Sequence, residues 1–195
     1  MQESERMKEI VEKILADPCY KRNIEYGEPR SGHPEGKIKF HIVDLENNLE
    51  RLSTRNISSL SYWKLKFLIH VHDSFKGEVD PASPFSYQHN HEALAREYAS
   101  QFINDIDLLN MLQYHDVNYS LWKQFSKSGN YDLPQFQNLL DTIHDWDLFL
   151  MFIIIDGYTK GKDPLKIEWF INEVRKHKNT FVDQSWVLPF PVEGN

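Results

Sequence analysis

Apolar positions recur along this chain mostly at the three-and-four spacing of an α-helix, and no stretch sustains the strict alternation of a strand. Residues 2–16 place Met7, Ile10, Val11 and Ile14 on one stripe, and residues 38–53 place Ile42, Leu45, Leu49 and Leu52 in phase. A Gly- and Pro-bearing loop from Tyr26 to Gly36 separates the two. Ser61 is expected to cap a third helix that runs to about Asp73, with Leu65, Leu68 and Ile69 turned inward. Helical patterns resume over 91–104, 105–115 and 117–127. Pro134 opens another at 134–144, an apolar helix covers 146–160, and Asp163-Pro164 starts a last one ending near Lys178. Between residues 74 and 90, Gly77, Pro81 and Pro84 break any regular element, and a loop of that length inside a compact domain points to function. The tail, 179–195, reads as irregular. Together these elements predict an all-α fold, a single-domain helical bundle over residues 1–195 with its motif-bearing core at about 33–160.

Composition narrows the partners. With 195 residues, 41% hydrophobic and 26% charged, the chain is long enough to bury a core and suits a globular protein. Its net charge of −7 speaks against a broad basic face, so extended nucleic acid is not the expected ligand. A small anionic ligand stays compatible, because a bound cation can supply the positive charge that the side chains lack. One cysteine, Cys19, permits no intrachain disulfide and fits a reducing compartment. The first residues, MQESERMKEIVEKIL, carry charges throughout and no signal core. The longest apolar run, Leu148 to Ile155, falls far short of the roughly 20 residues that span a bilayer. A cytoplasmic protein with no membrane partner is the expectation.

The chemistry concentrates in histidines and aspartates. His72 and Asp73 adjoin at the end of the apolar helix LKFLIHVHD, and neighbours in sequence can turn towards one point only near a helix end or an irregular turn. There they would offer an imidazole nitrogen and a carboxylate oxygen to one hard or borderline cation. His41 stands near the start of the second helix. Asp156 stands in the otherwise apolar FLMFIIIDG, where an unpartnered carboxylate would cost several kcal/mol. Its partner is a metal, a basic side chain or a backbone cap.

The order His, His-Asp, Asp over three helices resembles the HD superfamily of metal-dependent phosphohydrolases. HPEGKIKFH (33–41) looks like the first motif of the HD domain fused to bacterial CCA-adding enzymes, the tRNA nucleotidyltransferases. HDSFKG (72–77), HNHEALA (89–95) and YHD (114–116) are similar to its later motifs. The resemblance implies His41, His72, Asp73 and Asp156 as ligands of a divalent cation (Mn, Co, Ni, Fe, Zn or Mg). It implies Asp73, Lys76, His91 and His115 as catalytic, with Lys76, His91 and His115 binding the substrate and the two histidines available to a second metal. The departures are the absent nucleotidyltransferase head, Phe75 in place of a glycine, and Lys76 where the guanosine-tetraphosphate hydrolases and 5′-deoxynucleotidases of the superfamily carry a glutamate.

The expected function is therefore metal-dependent hydrolysis of a small, nucleotide-like phosphate ester, by a phosphatase or a phosphodiesterase, 2′,3′-cyclic phosphates included. Its rivals are a module that holds metal or nucleotide without turnover, with Phe75, Phe85 and Tyr87 stacking on a base, and a di-iron oxygenase. Other histidines read as structural. His144-Asp145 reads as a helix end followed by an N-cap, His70 points away from His72, and His177 is solvated. The row Met151 to Ile155 is core, and His33 stays open between loop and site.

Overall fold

The computed structural model describes residues 2–31, 33–79 and 90–188. Among them there is no strand, only an isolated bridge between Arg30 and His33. The expected all-α architecture is the one observed, and the helices close on one apolar cluster. The proposed aromatics Phe85 and Tyr87, with Pro81, Pro84 and His89, lie outside the described residues, as does the tail from 189.

Helix α1 (Glu3–Ala16) buries the stripe Met7, Ile10, Val11 and Ile14 against α4 (Ser59–Val71). Between them run α2 (Pro18–Asn23) and α3 (Ile38–Ser53). The sequence pattern had not separated α2, because six residues hold too little periodicity. Its signal is the cap: Asp17 accepts from the amides of Cys19 and Tyr20, and Pro18 opens the first turn. The cap of α4 is Ser58, not Ser61. Ser58 Oγ accepts from the Ser61 amide, so the helix starts two residues before Ser61, and it closes at Val71 rather than Asp73. Adjacent serines make the cap ambiguous in sequence, because each could accept from an amide three residues on.

The second half holds α5 (His91–Ser100), α6 (Ile106–Tyr114), α7 (Val117–Ser128), α8 (Leu133–Thr142), α9 (Trp146–Gly157) and α10 (Leu165–Arg175). Several stop short of the expected ends. Asp105 turns from α5 to α6 by accepting from the amides of Asp107 and Leu108, and α9 stops at Gly157 rather than residue 160. The irregular 74–90 segment contains a 3-10 turn, Lys76–Glu78.

Helix α9 is buried at every position except Asp147 and Asp156, which is what an all-round apolar helix requires. It packs against α3, α4 and α10. A Cβ at Gly157 would come within 2.2 Å of Ile167 Cδ1, so a larger residue would have to displace the buried Ile167 side chain where α10 closes on the end of α9 that carries Asp156. No helix of the described residues is long and apolar enough to cross a membrane.

Candidate metal centre

The chemistry-bearing side chains come from helix ends. His41 sits in the first turn of α3. His72 is the residue that ends α4, and Asp73 follows in the turn. His91 is the first residue of α5, fixed there by Asn90, whose side chain accepts from the Ala93 amide. His115 closes α6, and Asp156 lies in the last turn of α9. A helix end frees a side chain from the 100° rotation per residue that would separate neighbours, so His72 and Asp73 can address one point. Their facing atoms, His72 Nε2 and Asp73 Oδ2, are 3.4 Å apart.

All six residues converge. His72 Nε2 is 3.8 Å from Asp156 Oδ1, which in turn is 3.0 Å from His41 Nε2. Asp73 Oδ1 lies 3.5 Å from both His91 Nε2 and His115 Nε2. One donor atom each from His41, His72 and Asp73 fits within 4.8 Å, and so does one each from Asp73, His91 and His115, with Asp73 common to both groups. His41, His72, Asp73 and His115 are buried.

Three hydrogen bonds decide how the imidazoles present themselves. The Nδ1 of His72 donates to the carbonyls of Ile69 and Leu68, at 3.0 and 3.2 Å, and that of His115 donates to the Leu112 carbonyl at 2.8 Å. A carbonyl only accepts, so these nitrogens carry a proton and each Nε2 is turned inward, bearing a lone pair whenever its ring is neutral. Among the described residues His72 Nε2, His91 Nε2, His115 Nε2 and Asp73 Oδ1 are enclosed without a hydrogen-bond partner. Leaving a buried polar atom unmatched costs about 1–3 kcal/mol. Four of them facing one space, in a nitrogen-and-oxygen donor set, fit a divalent cation, and this buried group could hold one.

Charges reinforce the arrangement. Burial works to raise the Asp73 carboxyl, but His72 and Lys76, whose Nζ is 2.6 Å from Oδ2, hold it well below the usual range. Burial likewise opposes ionisation of Asp156, and Lys162, 2.8 Å from Oδ1, with His41 holds it well below that range. Burial pushes the His72 imidazole down, against the pull of Asp73. At His115 burial disfavours the cation, but Asp116 and Asp73 outweigh it and push the imidazole up to about 9. The site opens into a cavity of about 770 Å³ whose wall carries Arg30, Lys76, Lys162 and Lys166.

Sequence reasoning missed several participants. Glu35 Oε1 lies 2.9 Å from His33 Nδ1 and 3.1 Å from His41 Nδ1, and these two histidines hold its carboxyl down to about 2 against the effect of burial. His33 thus reaches the site's edge through Glu35, its ring edge-on to His41 at 5.2 Å. The Glu of HPE was the available signal. Asp116 faces His91 and His115 at 3.7 and 3.8 Å, and it stood unassigned within the YHD motif. Lys162 had no signal, because the chain must double back after α9 to bring it to Asp156. Phe75 does not face the cavity. It is buried against Tyr98, with ring centres 5.0 Å apart, and cannot stack on a ligand. The residues read as structural stay outside: Asp145 caps α9 by accepting from the Leu148 amide, and His177 is exposed.

What the fold and site define is an all-α protein with a buried histidine–aspartate centre. No family model, curated protein or solved structure matches the chain.

Proposed function

We propose that this protein is a divalent-metal-dependent hydrolase of small phosphate esters, in line with the resemblance of its ordered His/Asp motifs to the HD superfamily. The observation that carries the reading is the set of buried, unmatched Nε2 and Oδ1 atoms facing one space beside a lysine-walled cavity. His41, His72, Asp73 and Asp156 would hold the cation, which would draw charge from the phosphoryl oxygens and acidify water near neutral pH.

The chain's own residues do the rest. Lys76 and Lys162 keep Asp73 and Asp156 ionised, as ligands must be, and their ammonium groups line the space an anionic ester enters. Backbone carbonyls anchor the Nδ1 of His72 and of His115 and so aim each Nε2 inward, and little reorganises on binding. Asp73 Oδ1, which faces His91 and His115, would accept a proton from the attacking water. His115, readily protonated beside Asp116 and Asp73, can donate to charge that develops on the phosphoryl group.

One observation favours a second reading, a binding module without turnover: Lys76 and Lys162 already neutralise the two carboxylates, as in a closed ion-pair core. Those pairs still leave Asp73 Oδ1 and three Nε2 atoms unmatched, which is why the metal-dependent reading ranks first. Elemental analysis of the purified protein, followed by a screen of phosphate mono- and diesters with Mn, Co, Ni and Mg, tests the proposal. Metal bound together with ester hydrolysis is the expected result. A protein that takes up metal but turns over no ester is the binding module, and one that takes up no metal has a purely structural cluster.

A further inference from the structure

A second cavity, of about 870 Å³, adjoins the centre and differs from it in chemistry. It lies between α5 and α6 on one side and α7 and α8 on the other. Three of the four helices present pairs one turn apart: Glu92 and Arg96 on α5, Asn110 and Gln113 on α6, Gln135 and Asn138 on α8. Asp116 and Tyr119 line this cleft and the cavity of the metal centre alike, so the two spaces share a wall. His91 and His115, which face the centre, sit at the ends of the two helices that form one side of the cleft.

The lining is rich in carboxamides. Among the described residues that line it, Arg96 is the sole lysine or arginine, and its guanidinium is engaged, donating to Asn110 Oδ1 at 2.7 Å. Asn110 is engaged in turn, its Nδ2 donating to the Thr142 carbonyl at 3.2 Å, which leaves Gln113, Gln135 and Asn138 to meet a ligand. Gln135 is half-buried and its Oε1 is enclosed without a hydrogen-bond partner. A cleft of this kind is unsuited to a phosphate, which the lysines of the neighbouring cavity serve. Carboxamides offer a donor and an acceptor side by side, and that pairing matches the edge of a neutral heterocycle with its own adjacent donor and acceptor. Tyr114, Tyr119 and Pro134 add flat apolar faces against which a planar ring can lie. The carboxylates of Asp116 and Glu92, at the boundary with the centre, can accept from hydroxyls.

We infer that the carboxamide cleft between α5/α6 and α7/α8 binds the nucleoside part of the substrate, the base against Gln113, Gln135 and Asn138 and the ribose at Asp116, with the phosphate directed to the centre. This rests on the hydrolase reading for the phosphate, but the cleft itself is testable without turnover.

The test uses molecules with no phosphate to cleave. The four ribonucleosides and free ribose are titrated into the purified full-length protein and followed by saturation-transfer NMR. At least one nucleoside should bind about tenfold more tightly than ribose, the discrimination expected of a matched carboxamide pair. The Gln113→Leu/Gln135→Leu variant, of similar side-chain volume, should lose that margin and leave ribose affinity unchanged. Asn138→Ala, on the exposed rim, should lose a smaller share of it, and circular dichroism checks that both variants keep their helices. Nucleosides that bind no better than ribose in the unaltered protein overturn the inference, whatever the metal content. So does a margin that survives the double substitution. A nucleoside preference in a protein that holds no metal and cleaves no ester overturns the hydrolase reading and leaves the cleft assignment standing.

Discussion

Two histidines stand two residues apart at the end of one helix, both buried, and the molecule treats them in opposite ways. His70 is matched on both sides: its Nδ1 meets Tyr20 Oη at 2.5 Å and its Nε2 meets Glu46 Oε1 at 3.2 Å, with Lys66 closing the chain on Glu46. His72 is matched on one side only, by backbone carbonyls at Nδ1, and its Nε2 faces a space shared with other unmatched donors. The first is a finished network that ties α2 to α3 and α4. The second makes sense when something else completes it. A buried histidine is thus no sign of a site. What distinguishes the two is the accounting of each ring nitrogen.

The contrast can be broken experimentally, starting from the largest effect. His72→Ala with Asp73→Ala should remove bound metal and reduce ester turnover to background, with the helical circular dichroism signal retained. Metal retained by that variant in elemental analysis would defeat the centre as drawn. His70→Leu should do the reverse: metal content unchanged, and stability lowered by about 1–3 kcal/mol in a urea titration, because Tyr20 Oη loses its buried partner.

Glu35→Gln should leave the metal stoichiometry intact and weaken affinity by about 10–100-fold, since it removes the carboxylate behind His41. An unchanged dissociation constant would make Glu35 a loop anchor only.

The smallest effect is one of pH. In the metal-free protein the His115 imidazole is pushed up to about 9, burial opposing and Asp116 and Asp73 prevailing. That positive charge sits 3.5 Å from Asp73 Oδ1 and opposes a cation held there, so metal affinity should rise with pH from neutrality to about 9 and level off beyond. His70 is buried just as deeply but belongs to no such site, so His70→Leu should leave the profile unmoved. A flat profile in the unaltered protein would place His115 outside the centre.

Most of the helices were legible because burial imposes its period on the chain. Residues 38–53 match α3, and the stripe Met7, Ile10, Val11, Ile14 is the buried face of α1. Errors gathered at the ends, where caps decide. Ser58 and Asp105 win by hydrogen bonds that compete with neighbours of the same type, and α2 is too short to carry a period.

The site divides in the same way. Asp156 stood out in sequence because a carboxylate in an apolar helix costs energy unless it is matched, and His72-Asp73 because they adjoin at a helix end. His41 joined them through the resemblance of the ordered motifs. Glu35, Asp116 and Lys162 could not be placed. Their roles depend on distances between elements that no local pattern encodes. Phe75 was misplaced for the same reason, since only packing shows that it turns to Tyr98 and away from the cavity.

The sequence by itself determined that the protein is helical and which imidazoles and carboxylates are expensive to bury, because periodicity and desolvation are properties of residues and their near neighbours. Only the tertiary structure decided which ring nitrogens stay unmatched, which lysines face the carboxylates and that a carboxamide cleft opens beside them. Each of those depends on helix ends far apart in the chain meeting at one place, and that meeting is set by how the helices pack.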